Sequence, residues 1–173
     1  MNAYESLSTE FSAWVRLANW DIIDQGDTVV VASPGGEIRF LYRVDRAGVF
    51  SVARAERAES ERPVLWSNAS LVPERYLTAE IGDEVRSKLG LPQIVLPLDD
   101  DSVPPSIRII PGSAHVLELV GTLDGTLGQF SERGYPEPIV QYSHYANASL
   151  SELRASFLDS NGAPVFSHQT KRV

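Results

Sequence analysis

No cysteine occurs anywhere in the 173 residues. Disulfides, thiolate nucleophiles and Cys-type zinc sites are excluded together, and a reducing compartment is implied. The chain also has no run of about 18 apolar residues that could span a bilayer. The Met1-Asn-Ala-Tyr-Glu5 start carries neither the basic region nor the apolar core of a signal peptide, so a cytoplasmic protein without a membrane partner is predicted. Positive charge is in deficit: 15 Lys and Arg stand against 23 Asp and Glu, a net charge of −8. That balance disfavours nucleic acid and anionic membrane as partners and favours a basic protein. Histidine is scarce, and His115, His144 and His168 sit in no HxH or HExxH spacing, so they read as structural or surface residues. No serine stands in a GxSxG elbow, and Gly35-Gly36 leads into a strand pattern where a phosphate cradle needs a helix. No catalytic residue, cofactor site or metal site is predicted.

What is present describes one ordinary soluble domain, 43% hydrophobic and 22% charged, large enough to bury a core unaided. The best-defined stretch is Ser70 to Pro92. Ser70 suits an N-cap, Pro73 falls in a first turn where its missing N–H is harmless, and Gly90 before Pro92 suits a helix stop, which predicts a helix over 71–89. Val72, Tyr76, Leu77, Ile81, Val85 and Leu89 form its apolar stripe. Glu74, Arg75, Glu80, Asp83, Glu84, Arg86 and Lys88 are assigned to water. Gly82 in the middle disfavours helix by about 1 kcal/mol against alanine and marks a kink or break. A first helix is predicted near 8–19, capped by Ser6 or Ser8, with Phe11, Trp14, Val15 and Ala18 inward. A third is predicted at 150–158, opened by the capping box Ser149-Leu-Ser-Glu152 with Leu150, Leu153 and Phe157 inward.

Between these helices the pattern has period two. Strands are predicted at Asp21–Asp24, Thr28–Ser33, Glu37–Val44 and Val49–Ala53, and Ile38, Phe40, Tyr42 and Val44 share a buried face. Ala55 to Arg62 reads as a loop tip or a continuation of that hairpin, and Pro63–Ser67 as another strand. Gln93–Leu96, Ile107–Ile110, Ala114–Val120 and Thr126–Phe130 follow, the last pair joined at Asp124-Gly125, then Ile139–Tyr145 as a long strand or extended arm. The tail, Ser167 to Val173, lacks an apolar pattern, and little order is predicted from Gln169 onward. The prediction is therefore a single α+β domain spanning residues 1–173, with about three helices on largely antiparallel sheet, or on two small sheets flanking the central helix.

Asp99-Asp-Asp-Ser-Val-Pro-Pro-Ser106 is polar, doubly prolyl and irregular. Asp99, Asp100 and Asp101 lack the ligand spacing of an EF-hand and read as a solvated acidic loop or as a docking patch for a basic partner. Arg108 and Gly112, further along, complete the candidate partner-binding set. Asp45-Arg-Ala-Gly48 and Asp124-Gly125 are rival tips.

At Pro34-Gly-Gly-Glu-Ile-Arg-Phe40, at Arg86-Ser-Lys-Leu-Gly-Leu-Pro92, and at Ser143-His-Tyr145 leading to Leu153-Arg-Ala-Ser-Phe-Leu-Asp159, the chain resembles the mycobacterial antitoxin family that neutralises the tuberculosis necrotizing toxin. The resemblance covers roughly residues 10 to 167 in the same order. It implies a small cytosolic immunity protein that binds a secreted NAD glycohydrolase toxin domain, one to one as a monomer, and blocks its NAD site. The family has no catalytic motif to carry over, and the resemblance supplies no contact residues. From the stretch Asp99 to Ser113, a protruding wedge for that cleft is expected. Two other functions stay open: a ligand-binding or enzymatic domain lined by His115, His144 and Tyr145, and a secretion chaperone or adaptor.

Overall fold

The computed structural model describes residues 2–122, 125–134, 136–167 and 169–171. Asp124, His168 and the last two tail residues therefore lie outside the described residues. The architecture is α+β and largely antiparallel, as predicted. The chain divides into two compact units, Met1–Glu74 and Arg75–Val173.

In the first unit, α1 (Thr9–Leu17) starts at Ser8, whose Oγ accepts from the Phe11 N–H at 3.1 Å, a cap worth about 1 kcal/mol. Its stripe of Phe11, Trp14, Val15 and Ala18 is buried, as the spacing predicts. Five strands follow as a meander, each antiparallel to the next: β1 (Asp21–Asp24), β2 (Thr28–Ala32), β3 (Ile38–Val44), β4 (Phe50–Glu56) and β5 (Arg62–Ser67). The register places Val29, Tyr42, Val52 and Leu65 in one row across four strands, and all four are buried. Such a cross-strand row fixes the register, because a slip of one residue would turn every member to the opposite face. Burial pushes the Tyr42 phenol up to about 12, so it stays neutral and shares a 2.7 Å hydrogen bond with the Ser6 hydroxyl. The charged stretch at 57–61 is the β4–β5 loop, with Arg57–Glu37, Arg43–Glu61 and Arg62–Glu56 ion pairs around it. These exposed pairs contribute under about 1 kcal/mol each.

The second unit takes most of α2 (Leu71–Lys88) and contains β6 (Gln93–Ile94), β7 (Ile107–Pro111), β8 (Val116–Gly121), β9 (Gly125–Ser131), α3 (Glu137–Ser143), α4 (Leu150–Leu158) and β10 (Thr170–Lys171). Helix α2 begins immediately after Ser70 and ends in a left-handed cap. Gly90 has φ +65°, its N–H donates to Ser87 O, and the Leu91 N–H donates to Arg86 O. That pair of bonds is a Schellman motif. Leu89 therefore leaves the stripe and is 48% exposed, against the expectation of burial. The helix is continuous, so Gly82 does not break it. A Cβ there would lie 2.4 Å from the Phe157 ring of α4; the glycine exists to let the two helices approach. Gly82→Ala gains about 1 kcal/mol of helix propensity but overpacks the crossing by about 1–3 kcal/mol. We expect a net loss in melting temperature, and recovery when Phe157→Leu is added. A more stable single variant would refute the close-approach reading.

Three charged α2 residues assigned to water are buried: Glu74, Arg75 and Arg86. Each is held by polar groups that the helical pattern does not reveal. The Glu74 carboxylate accepts from the Ser8 N–H at 3.0 Å and from the Ser8 hydroxyl, tying the start of α1. Arg75 donates to Ala148 O at 2.8 Å and to the Tyr142 hydroxyl at 3.0 Å. Arg86, fully buried, donates to the carbonyls of Pro92, Ser156, Phe157, Asp159 and Ser160.

The expected strand at Ile139–Tyr145 is a helix instead, α3. Pro136 and Pro138 frame its first turn, where a proline costs no helical hydrogen bond, and Ile139, Val140, Tyr142 and Ser143 are buried at helical spacing. Its Tyr142 and, just beyond its end, Tyr145 join a chain of ring contacts from Phe130 through Tyr142, Tyr145 and Phe166 to Phe157, with centroids 5.0–6.2 Å apart. Helix α4 carries the predicted capping box in full. The expected strand Gln93–Leu96 reduces to Gln93–Ile94, and the one expected from Ala114 starts at Val116, because Ala114 and His115 adopt positive φ in the turn before β8. The tail is also more ordered than predicted. Thr170–Lys171 pairs with Gln93–Ile94, and the Val95 N–H donates to Gln169 O at 2.8 Å.

Candidate functional site

After β6 the chain reaches Asp99, and Asp100–Ser102 form one 3-10 turn. The Ser102 N–H and hydroxyl both donate to Asp99 O, and the Val103 N–H donates to Asp100 O. The Ser102 hydroxyl also lies 3.4 Å from His144 Nε2 at the end of α3. Burial holds the His144 imidazole below its usual range and so favours its neutral form. Asp99, Asp100 and Asp101 are exposed. Among the described residues, no group of three or more His, Asp or Glu side chains is arranged to hold a metal ion. The turn thus carries three exposed acidic residues on a hydrogen-bonded backbone.

The expected wedge from Asp99 to Ser113 is irregular only up to Ser106. The Ile107 N–H closes back on Pro104 O at 2.8 Å, and Ile107–Pro111 is then strand β7. Arg108 is exposed on β7, and Gly112 sits in the following turn, its N–H donating to Val116 O. A Cβ at Gly112 would stand 3.0 Å from Glu118 Cγ and 3.1 Å from Val116 O, so that turn requires a small residue. The structure therefore lines up Asp99–Asp101, Arg108 and Gly112 along one segment, partly as strand.

The three residues that would line a ligand pocket have unlike surroundings. His115 is exposed with Nδ1 3.1 Å from the Glu132 carboxylate, His144 is half-buried beside Ser102, and Tyr145 is buried among aromatic rings. The rival tip at Asp45-Arg-Ala-Gly48 is a tight turn in which Asp45 Oδ1 accepts from the Ala47 and Val49 N–H groups. No helix among the described residues is long and apolar enough to cross a membrane.

The family of immunity protein 61 matches residues 14–165, nearly the whole of both units. The chain belongs to that immunity-protein family. It is 29% identical over 167 residues to the Immunity factor for TNT of Mycobacterium tuberculosis, covering 92% of each chain, and matches the Immunity factor for TNT homolog of Mycobacterium bovis to the same extent. The solved structure of Rv3902c from M. tuberculosis superposes with a TM-score of 0.79 at 26% identity, over 96% of this chain and 97% of that one. The mycobacterial resemblance read from the sequence motifs is thus established at the level of family and of fold.

Sequence reasoning located the acidic turn from its composition. It missed that the next segment is the outermost strand of its sheet, because strand order depends on distant pairings.

Proposed function

We propose that this protein is a cytoplasmic antitoxin that binds an NAD-degrading toxin domain, one to one, and blocks it by covering the NAD site. The observation that carries this reading is the family match across residues 14–165, supported by similarity along 92% of the chain to a protein named as the Immunity factor for TNT. An inhibitor of this kind needs a stable scaffold and a surface complementary to its target, and no reacting groups of its own. The exposed Asp99, Asp100 and Asp101 suit a cationic nucleotide cleft, and Arg108 and Gly112 extend the same surface. Action is by binding alone.

The test is co-expression with a candidate NAD-degrading toxin domain, with cellular NAD as the readout. NAD is expected to stay at its level in toxin-free cells, whereas the toxin alone depletes it. Depletion despite stable binding would replace the inhibitor with a secretion adaptor.

A further inference from the structure

Strand β7 ends the strand order, and among the described residues only β8 pairs with it. Its register with β8 runs Ile107 opposite Gly121 to Pro111 opposite Leu117. At the two ends of this ladder the Thr122 N–H donates to Ser106 O and the Gly112 N–H donates to Val116 O. Antiparallel pairs alternate between hydrogen-bonded and non-bonded. Residues 106, 108, 110 and 112 therefore spend their main-chain groups on β8, while Ile107, Ile109 and Pro111 aim theirs at the open side.

That open side is lopsided. Proline has no N–H, and the Ile107 N–H is already given to Pro104 O. Three carbonyls, those of Ile107, Ile109 and Pro111, face outward with a single N–H, that of Ile109. The edge cannot pair well with its own copy: centred on Ile109, each Ile107 carbonyl would meet a proline nitrogen and each Pro111 carbonyl a committed N–H. An ordinary strand supplies what is missing, three N–H groups at alternate residues and one carbonyl in return. The exposed face of β7 offers Arg108 and Ile110, the latter 38% exposed, and the chain enters β7 from the three-carboxylate turn.

We infer that the edge of β7 docks an extended segment of the toxin domain by strand addition, a segment free of proline at three alternate positions and carrying basic side chains toward Asp99–Asp101. This rests on the antitoxin reading and specifies the manner of binding. The docked strand extends the β9–β8–β7 ladder by one, and the acidic turn sets which strand is accepted.

Two measurements test it on the 173-residue chain with the toxin domain used in the co-expression test. Amide exchange followed by NMR is expected to show the Ile109 N–H exchanging fast in the free protein, with Arg108 and Ile110 slow, and Ile109 becoming protected in the complex. Ile109→Pro removes the only outward N–H and spares the β8 ladder, so the melting temperature is expected to change little while the complex weakens about tenfold. Ile109→Val controls for side-chain loss and is expected to bind as the parent does. A complex in which Ile109 still exchanges fast overturns the strand-addition proposal and leaves the antitoxin reading standing. Protection of Ile109 in the free protein that grows with its concentration overturns it in favour of self-pairing. Failure of any complex to form overturns both readings.

Discussion

Replacing Arg86 with methionine is expected to lower the melting temperature by about 6–20 °C. The guanidinium is 0% exposed and donates to five main-chain carbonyls, of Pro92, Ser156, Phe157, Asp159 and Ser160, at 2.5–3.2 Å. Two groups of orphans meet there. Pro92 follows the Schellman end of α2, and Ser156 and Phe157 belong to the last turn of α4, whose carbonyls have no partner further along the helix. A cation at that end also suits the helix dipole. Methionine fills similar volume but leaves the carbonyls buried without donors, and unsatisfied groups of this kind cost about 1–3 kcal/mol each before water enters. A net loss of about 3–5 kcal/mol follows, and for a domain of this size each kcal/mol moves the midpoint by about 2–4 °C. Arg86→Lys separates charge from geometry. A single ammonium cannot reach five acceptors in two directions, so more than half of the loss is expected to remain. Denaturation of both variants decides it. A lysine variant as stable as the parent would show that charge alone matters, and a methionine variant within about 1 °C would remove Arg86 from the set of fold-determining residues.

Arg86 also shows where the sequence stops being legible. Its neighbours Ile81 and Val85 announce a buried face, and an amphipathic reading assigns a long charged side chain to the opposite one. The carbonyls that draw it inward come from residues 92 and 156–160, and main-chain acceptors leave no trace in composition. Glu74 and Arg75 are equally illegible, because their partners are distant in sequence: Ser8, which donates to the carboxylate, and Ala148 O and the Tyr142 hydroxyl, which accept from the guanidinium. What could be read was local. Ser8, the Ser149–Glu152 box and Gly90 act within one turn of themselves, and the alternation of β3 needs only its own residues. Helix α3 fell between these cases, since Ile139 to Tyr145 fits period two as readily as a short helix, and the deciding signal was the prolines before it. The tail strand was hidden because β10 contributes main-chain bonds to β6, not an apolar pattern. The acidic turn was visible as an exposed cluster of like charge, but its rigidity depends on Ser102 and His144, 42 residues apart in sequence. The edge position of β7 follows from pairing among strands that the chain brings together only on folding.

The second large effect is on association. On the antitoxin reading, replacing Asp99, Asp100 and Asp101 together with serine is expected to slow complex formation with the toxin domain about tenfold at low ionic strength. The dissociation rate should be almost unaltered. The Ser102 hydroxyl and the main chain hold the turn, so serine can occupy these positions on the same backbone and the fold is expected to survive. What is lost is three exposed negative charges at one point of the surface. Charges so placed steer a cationic partner during encounter, an effect that spans about 10 to 10³ in rate and fades as salt shortens the screening length to about 8 Å at physiological ionic strength. Stopped-flow association at several salt concentrations should therefore show a steep salt dependence for the parent, a flat one for the triple variant, and convergence of the two at high salt. Equal rates at low salt would exclude the turn as the electrostatic docking element. The signature also differs from that of Ile109→Pro. A charge that guides encounter moves the on-rate, whereas a main-chain bond formed after contact holds the complex together and moves the off-rate. The two variants measured side by side thus assign the turn and the β7 edge to successive stages of one binding event, and a triple variant that only dissociates faster would place the carboxylates in the bound interface instead.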